Sequence, residues 1–462
     1  MGTEVGGTWR QNIYPGAECD IPSHLYSLSF ELNPNWPKHY SGQREIYAYL
    51  QHVAKKYNVY KQILFNTEVL STEWLDDRQK WHVKWRSTRD EKTDIISESY
   101  FDAVIAGLGP LRIPNVPKEF SGFEGPIVHT TFWDESVDFT NKRVAVIGSG
   151  TSAVQVIPEL TKQVSHLYNY MRTPIWVVPR DQFNYSSLVK FIFRYVPFAM
   201  RLYRWFLYLK HEVGFGLFRN HQSRLSRKVR SQLQMSIVQR LKKVGRLDLV
   251  PALTPEYAPG CKRLAKSETF IEALAKPNVT LVRDGIAQVK GRTIIDNQGN
   301  EVEVDILVLA TGFKTQSFTG NLKVIGRGGQ TLDDKWHSAY PQTYKSVTTP
   351  GYPNFFYLLG PSSGLGHNSV IVIVECQVEY AVQCLKHMVR NSIKSLEPKE
   401  SAADEWVSTL REKLKTTVWG AGGCQSWYQN DEGEVFGLWS GNVTSYWRAL
   451  RRPDFDHFIA HK

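Results

Sequence analysis

The sequence predicts an α/β fold in which a nucleotide-binding domain interrupts a second domain, and three observations carry this reading. Residues 143–160, "RVAVIGSGTSAVQVIPEL", pass from an apolar run through a glycine-rich turn into an amphipathic stretch. Two further apolar runs, "DAVIAGLGPLRIPNVP" (102–117) and "VDILVLATGFKTQSF" (304–318), each close on glycine and bracket that unit. The length of 462 residues is more than one core usually holds, so two or three domains are expected.

In the central unit, residues 144–147 read as a buried strand, 148–153 as a turn and 152–160 as a helix. The turn spells G-x-G-x-x-A, which gains weight from having a strand before it and a helix after it. Gly148 allows the tight turn, and Gly150 lets the backbone approach a pyrophosphate. Ala153 lets the helix pack closely on the strand. Thr151 and Ser152 open that helix, whose N-terminus offers free N–H groups to an anion. A tight β–α turn without a ligand is the bland alternative. The next strand, "HLYNYM", runs into Arg172-Thr173-Pro174. An NAD enzyme would usually place Asp or Glu near this point for the ribose 2′-hydroxyl. Arg172 would instead attract a 2′-phosphate, so NADPH is the expected cofactor.

Both flanking strands put Ala-x-Gly or Ala-Thr-Gly at their ends, where small residues let the backbone crowd a ligand or a linker. Composition is ordinary for a soluble globular protein, 42% hydrophobic and 22% charged. The 13% aromatic content suits a protein that packs planar ligands, although large aromatics serve a plain core equally well. Cys19, Cys261, Cys376, Cys384 and Cys424 are odd in number, scattered and free of any C-x-x-C pair. Neither a disulfide frame nor a metal site is expected, and a reducing, cytoplasmic compartment is. No charged n-region followed by an apolar h-region opens the chain.

The formal charge of +11 is concentrated in one stretch. Residues 194–246 hold thirteen Lys and Arg against Glu212 alone, about +12, which leaves the rest near −1. The run "FIFRYVPFAMRLYRWFLYLK" in this region is apolar and aromatic, but Arg194, Arg201, Arg204 and Lys210 interrupt it too often for a spanning helix. A helical insertion with a solvated basic face is the plainer reading. A peripheral membrane contact or apolar-substrate surface through 191–246 is the sharper one. Nucleic acid is not expected, because no recognition motif accompanies the charge.

Between the first flanking strand and the central unit lies "FEGPIVHTTFWDE", that is Phe123-x-Gly125-x-x-x-His129-x-x-x-Trp133-Asp134. A lone buried histidine would ordinarily be a satisfied core residue. This spacing resembles the fingerprint of the Baeyer–Villiger monooxygenases at every fixed position; the related N- and S-oxygenating flavin monooxygenases have a looser form. The segments "GGTWRQNIYPGAECD", "YSGQREIYAYLQHVAKKYNV", "CKRLAKSETF", "GPSSGLGHNSVIVIVECQVEY" and "CQSWYQNDEGEVFGLWSGNVTSYW" extend the resemblance over nearly the whole chain. The last two look most like fungal members that act on polyketide or terpenoid intermediates, which implies secondary metabolism.

The resemblance implies a flavoprotein with two dinucleotide-binding domains, FAD and NADPH Rossmann-like, and a helical insertion. The expected division is an FAD-binding first part at 1–135, an NADPH-binding domain at 136–290 with the insertion at about 185–250, and an FAD-binding second part with a substrate-site segment at 291–462. The family's first strand–turn–helix unit for FAD would lie before Gly6, so the FAD domain is expected to be incomplete at the N-terminus and to hold FAD weakly. The implied reaction takes a ketone and O2 to an ester or lactone. Arg263 in "GCKR" matches the family's active-site arginine and Asp20 the acid that holds it. Lys262, Arg172 and Thr173 match contacts to the nucleotide phosphate or ribose. Thr8, Trp9, Asp20 and Tyr26 look like flavin-site positions, with a simple core aromatic equally open for Tyr26. Phe123, Gly125, His129, Trp133 and Asp134 match a linker that couples the domains. Two alternatives stand beside this reading: N- or S-oxygenation, and a nucleotide-binding remnant without turnover.

Overall fold

The computed structural model of the protein describes residues 2–89 and 95–462. A short helix α1 (Thr8–Gln11) and the longer α2 (Gln43–Lys56) open the chain. Ile46, Tyr49, Val53 and Ala54 of α2 recur at helical spacing, and all four are buried. Strands β1 (Thr67–Leu75), β2 (Lys80–Ser87) and β3 (Ile96–Phe101) form an antiparallel ladder, which β15 (Lys323–Ile325) extends in parallel beside β1. The short strand β4 (Val104–Ala106) pairs in parallel with β16 (Phe355–Tyr357).

Five strands make the central parallel sheet: β5 (Ile127–His129), β6 (Arg143–Ile147), β7 (His166–Tyr170), β10 (Val279–Val282) and β14 (Ile306–Leu309). Their order is β10-β7-β6-β14-β5. A parallel sheet is covered on both faces, and β6 after Arg143 and the whole of β14 accordingly read as unbroken apolar runs. Val144, Ala145, Val146 and the whole of β14 are buried. Helix α3 (Thr151–Leu160) follows β6 and buries Ala153, Val154, Val156, Ile157 and Leu160. Beside this sheet stand a small parallel pair, β8 (Val177–Val178) with β9 (Ala265–Lys266), and an antiparallel sheet of β11 (Ile286–Lys290), β12 (Thr293–Asp296) and β13 (Glu301–Glu303).

The expected strand–turn–helix unit thus forms where the sequence put it, but the expected domain boundaries cut across the sheets. Strand β5 comes from before residue 136 and β14 from after residue 290, and both pair within the nucleotide sheet. The apolar pattern of 304–318 identified a buried strand without identifying its partner, because pairing is decided by tertiary contact. The glycine-closed segments that follow β4 and β14 run side by side. The backbone N–H of Asn115 donates to the Gly312 carbonyl at 2.8 Å, and the Thr311 hydroxyl donates to the Asn115 carbonyl at 2.5 Å.

The insertion is helical, as expected: α4 (Ser187–Tyr195), α5 (Ala199–Gly214) and α6 (Arg224–Lys243). Helix α6 buries Leu233, Ile237 and Leu241 in the core of the nucleotide domain, whereas α5 places Leu207 in a separate cluster with Cys19, Leu25, Trp36 and Tyr49. One expectation is overturned outright. Cys261 and Cys424, 163 residues apart in sequence, form a disulfide with their Cα atoms 6.1 Å apart. Sequence spacing gave no sign of it, because the fold alone brings these two cysteines together. Cys19, Cys376 and Cys384 are free and buried.

Candidate active site

The turn after β6 is shaped by two glycines with different duties. Gly148 sits at φ +125°, and a Cβ there would lie 2.4 Å from the Ala310 carbonyl oxygen, so no other residue fits without displacing β14. The Gly148 N–H donates to the Tyr170 carbonyl at 3.0 Å. Fully buried Asn169 supports the turn from beneath, its side-chain amide donating to the carbonyls of Val146 (3.1 Å) and Gly148 (2.9 Å). Gly150, at φ −71°, precedes α3 and has nothing within 4 Å of where a Cβ would stand. No side chain caps the N-terminus of α3. Open space in front of free N–H groups fits a pyrophosphate. Thr151 and Ser152 border that space half-buried, and Ala153 is fully buried against the sheet.

Arg172 is exposed at the end of β7, next to half-buried Thr173, whose carbonyl accepts from the Ser149 hydroxyl at 2.6 Å. Lys262 approaches from the other side of the chain. Burial, and then the charge of Arg172, hold the Lys262 ammonium below its ordinary pKa. Two cations that disfavour each other are a fitting cradle for a phosphate, which would relieve both. The Tyr257 hydroxyl donates to the Pro174 carbonyl at 3.0 Å, and the Trp176 indole donates to the Tyr257 carbonyl at 2.9 Å. These bonds fix the Lys262 segment against the Arg172 turn.

Asp20 and Arg263 meet across 243 residues in a two-pronged pair, Nε to Oδ2 at 2.5 Å and Nη2 to Oδ1 at 2.7 Å. The parallel fork fixes the plane of the guanidinium as well as its position. Burial pushes the Asp20 carboxyl up, but the Arg263 charge and its hydrogen bonds outweigh it and hold Asp20 below the usual carboxylate range. Arg263 keeps 27% of its side-chain surface and Asp20 16%, so the cation remains open on one side. The Trp9 indole donates to the Tyr26 hydroxyl at 3.2 Å, with the rings edge to face. Burial raises the Tyr26 pKa, and Asp20 and Arg263 are close enough to influence it. Gly7, at φ +50°, has open space where a Cβ would stand, bordered by exposed Thr8 and half-buried Trp9. That opening beside Trp9 fits a planar ring.

Two residues at this site escaped the reading of the sequence. The Lys266 ammonium donates to the Tyr40 hydroxyl at 3.2 Å and lies 4.7 Å from the centre of its ring. Burial lowers its pKa, and its neighbours are Asp20 and Arg263. Tyr428, fully buried, also lies within electrostatic reach of Arg263. Both stand inside segments that carried the resemblance, so the signal was the segment and not the residue.

The linker fingerprint is assembled around β5. A Cβ on Gly125 would lie 2.6 Å from the Asp305 carbonyl oxygen, so the strand can enter beside β14 only with glycine there. Phe123 is buried among Val304 and Leu307. His129 accepts at Nδ1 from the Thr131 N–H at 3.1 Å. Burial lowers its pKa, and a backbone hydrogen bond with Gly312 partly offsets that. Trp133 stacks on Phe139 with ring centres 5.1 Å apart, and exposed Asp134 accepts from the Ser136 N–H and hydroxyl. Phe123 and Gly125 thus seat this segment against β14 and the residues just before it, and none of the five contributes to the Asp20–Arg263 pair.

A parallel nucleotide sheet, a glycine cradle and a forked arginine–carboxylate pair define a flavin-monooxygenase type of molecule. Residues 23–204 match the family described as FMO-like, flavin-binding monooxygenase-like. A Baeyer–Villiger monooxygenase of Pseudomonas aeruginosa is 38% identical over 470 residues, covering 99% of this chain and 84% of its own. The FAD-binding monooxygenase ktnD of Aspergillus niger is 34% identical over 477 residues, covering 99% and 76%. Among solved structures, cyclohexanone monooxygenase from Rhodococcus sp. Phi1 bound to NADP+ superposes with a TM-score of 0.86 at 25% identity, over 100% of this chain and 93% of that one. The chain belongs to the Baeyer–Villiger monooxygenase family and has its two-dinucleotide-binding-domain architecture.

Proposed function

We infer that the protein is an FAD- and NADPH-dependent monooxygenase that inserts one O2-derived oxygen beside a ketone carbonyl, giving an ester or lactone. The observation that carries this is the forked Asp20–Arg263 pair, which holds a permanent, partly buried positive charge near Tyr26 and its partner Trp9. Bound FAD and NADPH would supply the reducing equivalents and the activated oxygen. The protein's share is electrostatic and positional. Arg263 stabilises negative charge that develops on oxygen at the attacked carbonyl, and Asp20 keeps the guanidinium from turning away. The N-terminus of α3 with Gly148 and Gly150 would hold the NADPH pyrophosphate, and Arg172, Thr173 and Lys262 its 2′-phosphate and ribose. Thr8, Trp9, Asp20 and Tyr26 would border the flavin. The 123–134 linker would transmit the position of one domain to the other.

In this reading the FAD-binding unit is divided on either side of the NADPH-binding one, whose sheet reaches out to β5 and β14. A place in fungal secondary metabolism draws support from fungal relatives such as the Aspergillus one; the Pseudomonas relative is the more similar of those two. A cytoplasmic location and a peripheral membrane contact within 191–246 belong to the same proposal, and the Cys261–Cys424 bridge is the observation that speaks against the first. The deciding experiment measures FAD content, then NADPH oxidation with a cyclic ketone, and identifies the product by mass. An ester or lactone gaining one oxygen supports the reading. Conversion of amines or sulfides alone, or protein free of flavin even after reconstitution with FAD, overturns it.

A further inference from the structure

Helices α4 and α5 form a hairpin with two apolar faces, and only one of them is used by the fold. On α5, Tyr203, Arg204, Leu207, Tyr208 and His211 recur at i, i+4 and neighbouring positions and face inward. Leu207 is 2% exposed, and the Tyr203 hydroxyl meets that of Tyr185 at 3.1 Å. Arg204 donates to the carbonyls of His24 (2.9 Å) and Ser27 (2.6 Å), which latches the helix to the loop that follows Asp20. The opposite stripe of α5 is Leu202, Trp205, Phe206, Leu209 and Val213, all exposed, with Trp205 at 60% and Val213 at 79%. Leu188, Phe191 and Tyr195 continue it on α4. Contiguous apolar surface of this kind marks a contact that the isolated chain does not satisfy.

The tip of the hairpin sharpens the point. Phe198 sits at φ +64° and is 68% exposed. A bulky residue in the left-handed region is strained, and here it gains no buried contact in return. The charges around the patch have one sign. Arg201 and Lys210 are exposed on α5, while exposed Arg194 is engaged elsewhere, donating to Asn35 Oδ1 at 2.5 Å. The one acid of α4–α5, Glu212, points inward to the N–H groups of Val443 and Thr444 at 3.0 Å. Helix α6 is different: Leu233, Ile237 and Leu241 are buried in the nucleotide domain, and its exposed apolar residues, Leu225, Met235 and Val238, include no aromatic ring. No helix among the described residues is long and apolar enough to cross a membrane.

We propose that the α4–α5 hairpin, residues 187–214, docks on an anionic lipid surface, with Phe198, Leu202, Trp205 and Phe206 in the headgroup–acyl boundary and Arg201 and Lys210 on lipid phosphates. Aromatic and basic side chains on one helix face are what such an interface takes up. A second copy of the chain is the poorer occupant, because mating two such faces would set their basic residues against each other. The inference goes beyond the reaction and does not depend on turnover.

The test is vesicle flotation of the full chain. Vesicles of phosphatidylcholine with phosphatidylglycerol should float the protein, and pure phosphatidylcholine should float far less. Each basic residue near the surface contributes roughly fivefold, and binding should weaken with added salt. Arg201→Glu with Lys210→Glu should therefore lose at least about twenty-fivefold, and Phe198→Ser with Trp205→Ser and Phe206→Ser should abolish flotation. These exposed positions leave the far-ultraviolet spectrum and melting curve unchanged, which separates lost docking from lost folding. Flotation that is equal for both lipids, absent in the wild type, or indifferent to the variants overturns the proposal. So does a concentration-dependent dimer that the aromatic variants dissociate, since a second copy would then cover the face.

Discussion

In the proposed role, Arg263 acts only after hydride transfer, where negative charge builds on oxygen. Arg263→Ala is expected to abolish ester formation while leaving NADPH-driven flavin reduction largely intact. Loss of one preorganised charge of this kind typically lowers the rate about 10²–10³-fold. Rapid-mixing measurements of the reductive half and product analysis of the oxidative half separate the two, and ketone conversion at the wild-type rate would remove Arg263 from its role. Arg172 and Lys262 should make NADPH bind about ten- to hundredfold better than NADH, the value of a charged hydrogen bond at roughly 1.5–3 kcal/mol. Equal dissociation constants for the two nucleotides would dismiss the phosphate cradle. At this scale the motif-bearing residues were legible: Asp20 and Arg263, 243 positions apart, do form the pair that the resemblance implied. Lys266 and Tyr428 were not, because a lysine and a tyrosine carry no motif, and only folding sets them beside that pair.

At the scale of elements, the turn after β6 allows a paired test of two glycines that look alike in the sequence. Gly148→Ala places a Cβ against the Ala310 carbonyl in a backbone region closed to L-residues, so it should destabilise the fold by at least about 1–3 kcal/mol. Gly150→Ala meets no atom within 4 Å. It should fold normally in urea titration and lose affinity for NADPH, because the added methyl occupies the space meant for the pyrophosphate. Opposite results at the two positions would show that the ligand space has been misplaced. Helix α5 provides a pH-dependent counterpart. Four donors on Val443, Thr444 and Asn368 converge on Glu212. Burial raises its pKa, but these bonds and His367 outweigh that and lower it from 4.5 to about 2. A carboxylate with a depressed folded pKa stabilises fully above its unfolded value and loses that contribution as pH falls from about 4.5 to about 2. Glu212→Gln should remove this slope from the stability–pH curve and lower stability at neutral pH by roughly 1–3 kcal/mol. Helix, strand and turn were legible here from period and glycine placement. Sheet membership of β5 and β14 was not, since the four buried apolar residues of β14 are compatible with any neighbouring strand and the three residues of β5 are too few to show a pattern.

Across the whole molecule, the nucleotide domain is tied to the rest of the chain by a few long-range links. Tyr14 bonds to Gln155 on α3 at 2.7 Å, Gln155 in turn donates to the Glu18 carbonyl at 2.8 Å, and Arg180 joins Glu268 and Glu18. The Cys261–Cys424 bridge is the covalent member of this set. It fixes the segment leading to buried Tyr428 directly against the residue before Lys262 and Arg263, so these two segments cannot separate while it is intact. A closed loop of 163 residues is long, and a bridge of this kind commonly stabilises by about 2–4 kcal/mol through the unfolded chain. Cys424→Ser should therefore lower the urea midpoint of the transition that includes the nucleotide domain. A dithiol reductant should bring the wild type down to the same midpoint and leave the variant unchanged. Thiol titration of the denatured, unreduced protein should count the three free cysteines, Cys19, Cys376 and Cys384. A count of five, with wild type and variant unfolding together in the presence and absence of reductant, would mean that the two sulfurs sit side by side as thiols and that packing around Cys261 alone holds the C-terminal segment in place.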